Sequence, residues 1–260
     1  MMPHWNMTER TLADLDNHLP EVVVIAIGAV EPHNWHLPLG MDWMQATHVS
    51  QAVCQRAHEA GASVVWLPAI PYGVDCNLMD FPMAIHVSQN TLDAMVKDIV
   101  VSLRHYGIKK IVLINSHGGN DFKPLIRQLQ CDVDVHVFSC NWWTVGRDRY
   151  NEIFEKPDDH AGEMETSVGL ALWPELIDLN RAGSGTTRPF RMEALEKGWL
   201  STSRKFSQLN DHCAAGDPAA ATAEKGQKYL DLVIGRIAQF LVELSDAEID
   251  EGFPHCMEEE

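Results

Sequence analysis

Residues 22–27 read VVVIAI, an apolar run without polar alternation, and the chain beyond it carries Glu31, His33, His36 and Asp42 in close succession. A strand with one face in solvent alternates apolar and polar residues. An unbroken run therefore marks a strand buried on both faces, the habit of a central parallel strand. Open α/β sheets bind their ligands beyond the carboxyl ends of such strands. The run thus sets the kind of sheet and the side of it on which chemistry is expected.

The following segments repeat this pattern. Ala46, Val49, Val53 and Ala57 recur at helical spacing and predict a helix over residues 44–59, with Gly61 as its stop. A second apolar run over 63–70 leads through Pro71-Tyr72-Gly73 into a loop, 74–86, with no periodicity and a proline at 82. Leu92, Met95, Val96, Ile99, Val100 and Leu103 share one face of a helix over 90–106. A strand over 110–114 then enters Asn115-Ser116-His117-Gly118-Gly119-Asn120, ahead of a helix over 122–130 and a fourth strand over 134–138 that leads to Trp142 and Trp143. Beyond 145 the alternation fades. A helix over 163–173, an irregular stretch over 174–200 and a long amphipathic helix over 219–244 are expected. An acidic tail over 246–260 is expected to be partly disordered and solvated. The architecture predicted is α/β, with a doubly wound, mostly parallel sheet flanked by helices on both faces. At 260 residues a single domain spanning 1–260 accommodates it.

A formal net charge of -17 argues against nucleic acid as a partner, since polyanions are bound by basic faces. No apolar stretch approaches the roughly 20 residues that cross a bilayer. The N-terminal segment lacks the basic and apolar regions of a leader, so no membrane association and a cytoplasmic location are expected. Cys54, Cys76, Cys131, Cys140, Cys213 and Cys256 lie far apart and are expected to be free thiols. Cys76 is read as a buried, inert thiol, because no histidine partner is evident nearby.

Chemistry-bearing residues gather in three places. In Glu31-Pro32-His33 two metal-capable side chains are one residue apart, which in extended backbone puts both on one side, and Asp42 can return to them after the Leu37–Gly40 turn. His117 follows a buried strand, and the glycines after it permit close backbone approach to a ligand. Residues 158–167 set several carboxylates around His160 where a helix begins. Each has a plainer explanation: a solvated loop, a polar strand-to-helix turn, a helix N-terminus enriched in acids. Two strand ends with the same chemistry favour a site.

Together, GAVEPHNWHLPLGMD at 28–42, PYG at 71–73, FP at 81–82, VLINSHGGN at 112–120 and HAGEMETS at 160–167 resemble the creatininase, or creatinine amidohydrolase, family. The resemblance spans residues 21–179 and implies a hydrolase with two divalent ions per chain, zinc or manganese, with iron as a further option. It implies cleavage of a C–N bond in a small cyclic or formylated amide by a hydroxide held between the ions. Carried over by motif, Glu31 and His33 bind different ions, Asp42 bridges both, and His117 completes one shell. Creatinine-hydrolysing relatives place a further glutamate where this chain has Gly119, so Glu165 is expected to take its place. Glu165 is preferred to Glu163 on the ETS resemblance, and only one can face the site because the two are about 200 degrees apart on a helix. His160 is the expected general acid and base, and Gly118, Trp142 and Trp143 the expected substrate-binding residues. His36 is expected to orient the turn that presents Asp42. Residue 119 and the loop at 74–84 depart from the pattern of creatinine-hydrolysing relatives, which points away from creatinine as substrate. The family habit also implies a homo-oligomer, with a hexamer as its typical form. A non-catalytic, metal-stabilised protein that binds or senses a small molecule is the alternative. Retention of all three ligand-bearing segments favours the enzyme.

Overall fold

The computed structural model describes residues 4–15 and 18–256. Four strands, β1 (Val22–Ile27), β2 (Val64–Ile70), β3 (Lys110–Asn115) and β4 (His136–Asn141), form a parallel sheet in the order β2-β1-β3-β4. Every residue of β1 and β3 is buried, as their unbroken apolar runs require. Between the strands run α1 (Met41–Glu59), α2 (Gln89–His105) and α3 (Lys123–Val133). After β4 come β5 (Asp158–His160), α4 (Glu163–Leu172), the one-turn helices α5 (Glu193–Glu196) and α6 (Phe206–Leu209), β6 (Ala215–Gly216) and α7 (Ala223–Asp246).

The sheet is covered on both sides. Val22 and Val24 of β1 pack with Val49 and Val53 of α1, Val168 of α4 and Val233 and Leu241 of α7. Val23, Ile25 and Ile27, pointing the other way, pack with Leu92 and Val96 of α2 and Leu129 of α3. The fold is therefore doubly wound. From β1 the chain moves outward to β2 and then crosses back to β3, so the strand order reverses between β1 and β3. The crevice beyond the carboxyl ends of these two strands is the natural ligand position in such a sheet.

Several boundaries differ from those expected. Helix α1 begins at Met41, ahead of the apolar periodicity, and so carries Asp42 in its first turn. Strand β4 begins only at His136, because Asp134 ends α3 in the left-handed region at φ 54°. An aspartate tolerates that conformation, and its carboxylate is held by Arg104 at 3.0 Å and Lys109 at 2.9 Å. Helix α7 starts at Ala223, where the Thr222 hydroxyl accepts a hydrogen bond from Lys225 N. The antiparallel pairing of β5 with β6 joins distant segments too short to carry a pattern. In the acidic tail Phe253 packs edge-on against His136, with ring centroids 4.7 Å apart, while residues 257–260 lie outside the described residues. The cysteines are free thiols, and Cys76 is exposed rather than buried. It follows Asp75, whose side chain is fully buried. Among the described residues no helix is long and apolar enough to cross a membrane.

Candidate metal centre

The expected ligands are delivered by two strand ends and two helix starts. Glu31 and His33 lie on the loop leaving β1, where Glu31 N donates to Leu39 O at 2.9 Å and His33 Nδ1 donates to Glu31 O at 3.0 Å. A carbonyl only accepts, so Nδ1 of His33 carries the proton and Nε2 is the nitrogen turned to the site. Asp42 is brought in by α1, which crosses so close to the strand end that a Cβ on Gly28 would stand 2.5 Å from the Trp43 Cα. His117 directly follows β3. Asn115 clamps it, accepting from His117 N at 3.2 Å and donating to His117 O at 2.8 Å.

The fourth contribution comes from α4. Asp158 accepts hydrogen bonds from the amides of Gly162 at 3.1 Å, Met164 at 2.7 Å and Glu165 at 3.0 Å, which caps the helix. Glu165 then turns to the cluster, one oxygen accepting from Ala161 N at 2.7 Å and the other 3.3 Å from His33 Nε2. Glu163 points elsewhere. It accepts from the amides of Glu155 and Lys156, both at 2.8 Å, and pairs with Lys225 Nζ at 2.6 Å.

Asp42 stands between two groups of donors. Its Oδ2 is 2.9 Å from His117 Nδ1, which Glu31 Oε1 also approaches at 3.2 Å. Its Oδ1 is 3.1 Å from His33 Nε2, the nitrogen faced by Glu165. The sets Glu31, Asp42, His117 and His33, Asp42, Glu165 each bring their ligand atoms within 4.8 Å of one another. A third set of the same span joins Glu31, His33 and His160.

The electrostatics fit cations at these positions. Burial alone would lower the pKa of His33, but Glu165 and Asp42 outweigh it and hold it well above its ordinary value. His117 is likewise raised against its burial, chiefly by Glu31 and Asp42. Burial would raise Asp42, yet His33 and His117 hold it below the usual carboxylate range. Glu31 is pushed up to about 8, mainly by burial, and its Oε2 has no hydrogen-bond partner. The buried Glu31 and Asp42 and the partly buried Glu165, set around two imidazoles, need compensating positive charge, and a proton or a divalent ion on each imidazole supplies it. The oxygen-and-nitrogen donor set suits zinc or manganese.

The family model described as creatininase, creatinine amidohydrolase, matches residues 5–241. The chain belongs to the creatininase family. A mycofactocin precursor peptide peptidase from Mycobacterium ulcerans is 28% identical over 230 residues, covering 84% of this chain and 85% of that protein. A crystal structure of a Bacteroides fragilis protein assigned as a creatinine amidohydrolase superposes with a TM-score of 0.87 at 30% identity, covering 96% of this chain and 100% of that one. A creatininase structure in a manganese form shares the fold at a TM-score of 0.71 and 24% identity, covering 94% of this chain and 99% of that chain. A Zn–Zn form of a creatininase mutant superposes at 0.70.

In this creatininase-family chain a narrow pocket of about 120 Å³ opens onto the cluster and is lined by Glu31, Asp42, Gly118, Trp142, Trp143, His160 and Glu165, among others. Trp142 belongs chiefly to the core, with its Nε1 donating to Ser116 Oγ at 2.8 Å, while Trp143 is half-buried. Gly118 is exposed at the pocket. His160 lies on β5, not at a helix start. Its Nε2 donates to Pro32 O at 2.9 Å, which leaves Nδ1 facing Glu31 Oε1 at 3.7 Å. Burial, assisted by the neighbouring His33, lowers its pKa to about 4. His36 bonds Thr166 Oγ1 at 2.8 Å, so it ties the β1–α1 loop to α4. Two residues outside the expected set emerge. Asp158 positions α4, and Asp75, fully buried, stands 3.1 Å from His117 Nε2. A carboxylate shortly after a strand end was the available signal for Asp75.

Proposed function

We propose that this chain is a metal-dependent amidohydrolase that cleaves the C–N bond of a small cyclic or formylated amide with two divalent ions, zinc or manganese. The observation that carries the reading is the position of Asp42, whose two carboxylate oxygens face two different imidazoles, each accompanied by its own glutamate. Glu31, Asp42 and His117 would hold one ion, and His33, Asp42 and Glu165 the other. Divalent ions at these positions would polarise an amide carbonyl and acidify water near neutral pH.

The protein side chains supply the remaining needs. His160, with its Nε2 proton committed to Pro32 O, is neutral at pH 7 and offers Nδ1 as a proton acceptor toward the pocket. The same atom can return the proton to the leaving nitrogen, which an amide nitrogen needs in order to depart. Gly118 and Trp143 line the approach, where a flat amide can lie against the indole.

A second reading, peptide amide hydrolysis, is favoured by the peptidase relative and by an open groove of about 740 Å³ beside the pocket. The groove shares Asp158 and Asp159 with the pocket and carries Arg188 and Arg204. Hydrolysis assays with lactams, cyclic ureides, formamides and short peptides, each with added zinc or manganese, separate the two. Turnover of small amides alone supports the first reading, and turnover of peptides alone supports the second. A metal-loaded chain that turns over nothing would return the case to a non-catalytic binding protein. We further propose a homo-oligomer, because the large apolar side chains of Trp35, Trp43, Met79 and Met83 are exposed. Light scattering that gives a monomer mass would refute it.

A further inference from the structure

Asp75 lies in the loop after β2, is fully buried, and has no hydrogen bond to either carboxylate oxygen. Its Oδ1 is 3.1 Å from His117 Nε2, while the N–H of that ring is directed at Val74 O, 3.2 Å away. The Val74 carbonyl only accepts, so Nε2 carries a proton, and Nδ1, turned to Asp42 and Glu31, is the nitrogen left to face an ion. The Nε2 N–H thus has two acceptors within reach, the Val74 carbonyl and the Asp75 carboxylate.

The loop is built to hold the carboxylate at this spot. Val74 N donates to Asn120 Oδ1 and Asp75 N to His86 Nδ1, both at 3.1 Å. Residue 119 must be glycine for this approach, because a Cβ there would stand 2.2 Å from Val74 O and 2.4 Å from His117 Nε2. The absence of a side chain at 119 and the buried carboxylate at 75 are thus two halves of one arrangement.

We propose that Asp75 is a positioning residue that accepts the Nε2 proton of His117, fixes the ring with Nδ1 toward Glu31 and Asp42, and strengthens Nδ1 as a donor to a divalent ion. The proposal rests on His117 being a metal ligand. Equilibrium dialysis of the full chain against zinc and against manganese tests it, with ion content and melting temperature measured on each variant. Asp75→Ala should weaken one ion by about 10–100-fold and leave the other as in the native chain. Asp75→Asn, whose amide oxygen still accepts, should recover part of the loss. In ¹⁵N imidazole spectra of the zinc-loaded protein, His117 should carry its proton on Nε2, and that signal should broaden in Asp75→Ala. Native affinity for both ions in Asp75→Ala, or equal weakening of both with a lowered melting temperature, overturns the proposal. His117→Ala separates the two levels. If it keeps both ions, the metal reading and this inference fail together; if it loses one while Asp75→Ala loses none, only the inference fails.

Discussion

At the scale of single residues, the two glutamates of α4 make the sharpest contrast. Glu165 faces His33 Nε2, whereas Glu163 is spent on two backbone amides and Lys225. Glu165→Gln is expected to remove one ion per chain and to abolish hydrolysis. Glu163→Gln is expected to keep the metal content and lower the melting temperature, because it removes the buried carboxylate that pairs with Lys225. Metal analysis and thermal melts of both variants check this, and the reverse pattern would exchange their roles. His160 is held by its far ring nitrogen, which is anchored to Pro32 O. His160→Ala should cut turnover by about 100-fold or more with both ions retained. Metal loss in that variant would make His160 a ligand, as its grouping with Glu31 and His33 permits.

At the scale of elements, the centre depends on how α4 is seated. Asp158 caps it through three amides, so Asp158→Ala should cost about 1–2 kcal/mol of stability and loosen the ion that Glu165 serves. Chemical denaturation of the metal-free and loaded variant measures both effects, and unchanged stability would remove Asp158 from the account. The second tether is His36, which joins the β1–α1 loop to Thr166. Burial lowers its pKa from 6.5 to about 4, so between these values the unfolded chain binds the proton and the folded chain does not. Stability therefore rises with pH across that window and is lost as pH falls through it, by up to about 1.4 kcal/mol per pH unit. His36→Gln should flatten that part of the pH profile of unfolding. These tethers were hard to read from sequence. Asp158 and His160 sit on a strand whose partner, β6, is remote in the chain, and Thr166 lies far from His36. Asp42 was expected after the Leu37–Gly40 turn and ahead of the helix, because the apolar period that marks α1 begins only at Ala46.

At the scale of the whole molecule, the sheet was legible because its central strands are buried on both faces and so cannot alternate. Glu31, His33 and His117 were legible as a group for a related reason: each follows closely on β1 or β3, and the reversal of strand order gathers those ends into one crevice, whereas Asp42 joined them through the motif resemblance. Asp75 and the clash that requires Gly119 were not, since both depend on how a loop without periodicity folds back over a ring. The proposed reaction depends on Asp42 joining two ions. Metal content per chain, measured for the native protein and for Asp42→Ala after loading with zinc or manganese, tests it most directly. About two ions are expected in the native chain and none held tightly in Asp42→Ala, with hydrolysis lost. Two ions retained by Asp42→Ala would contradict that role.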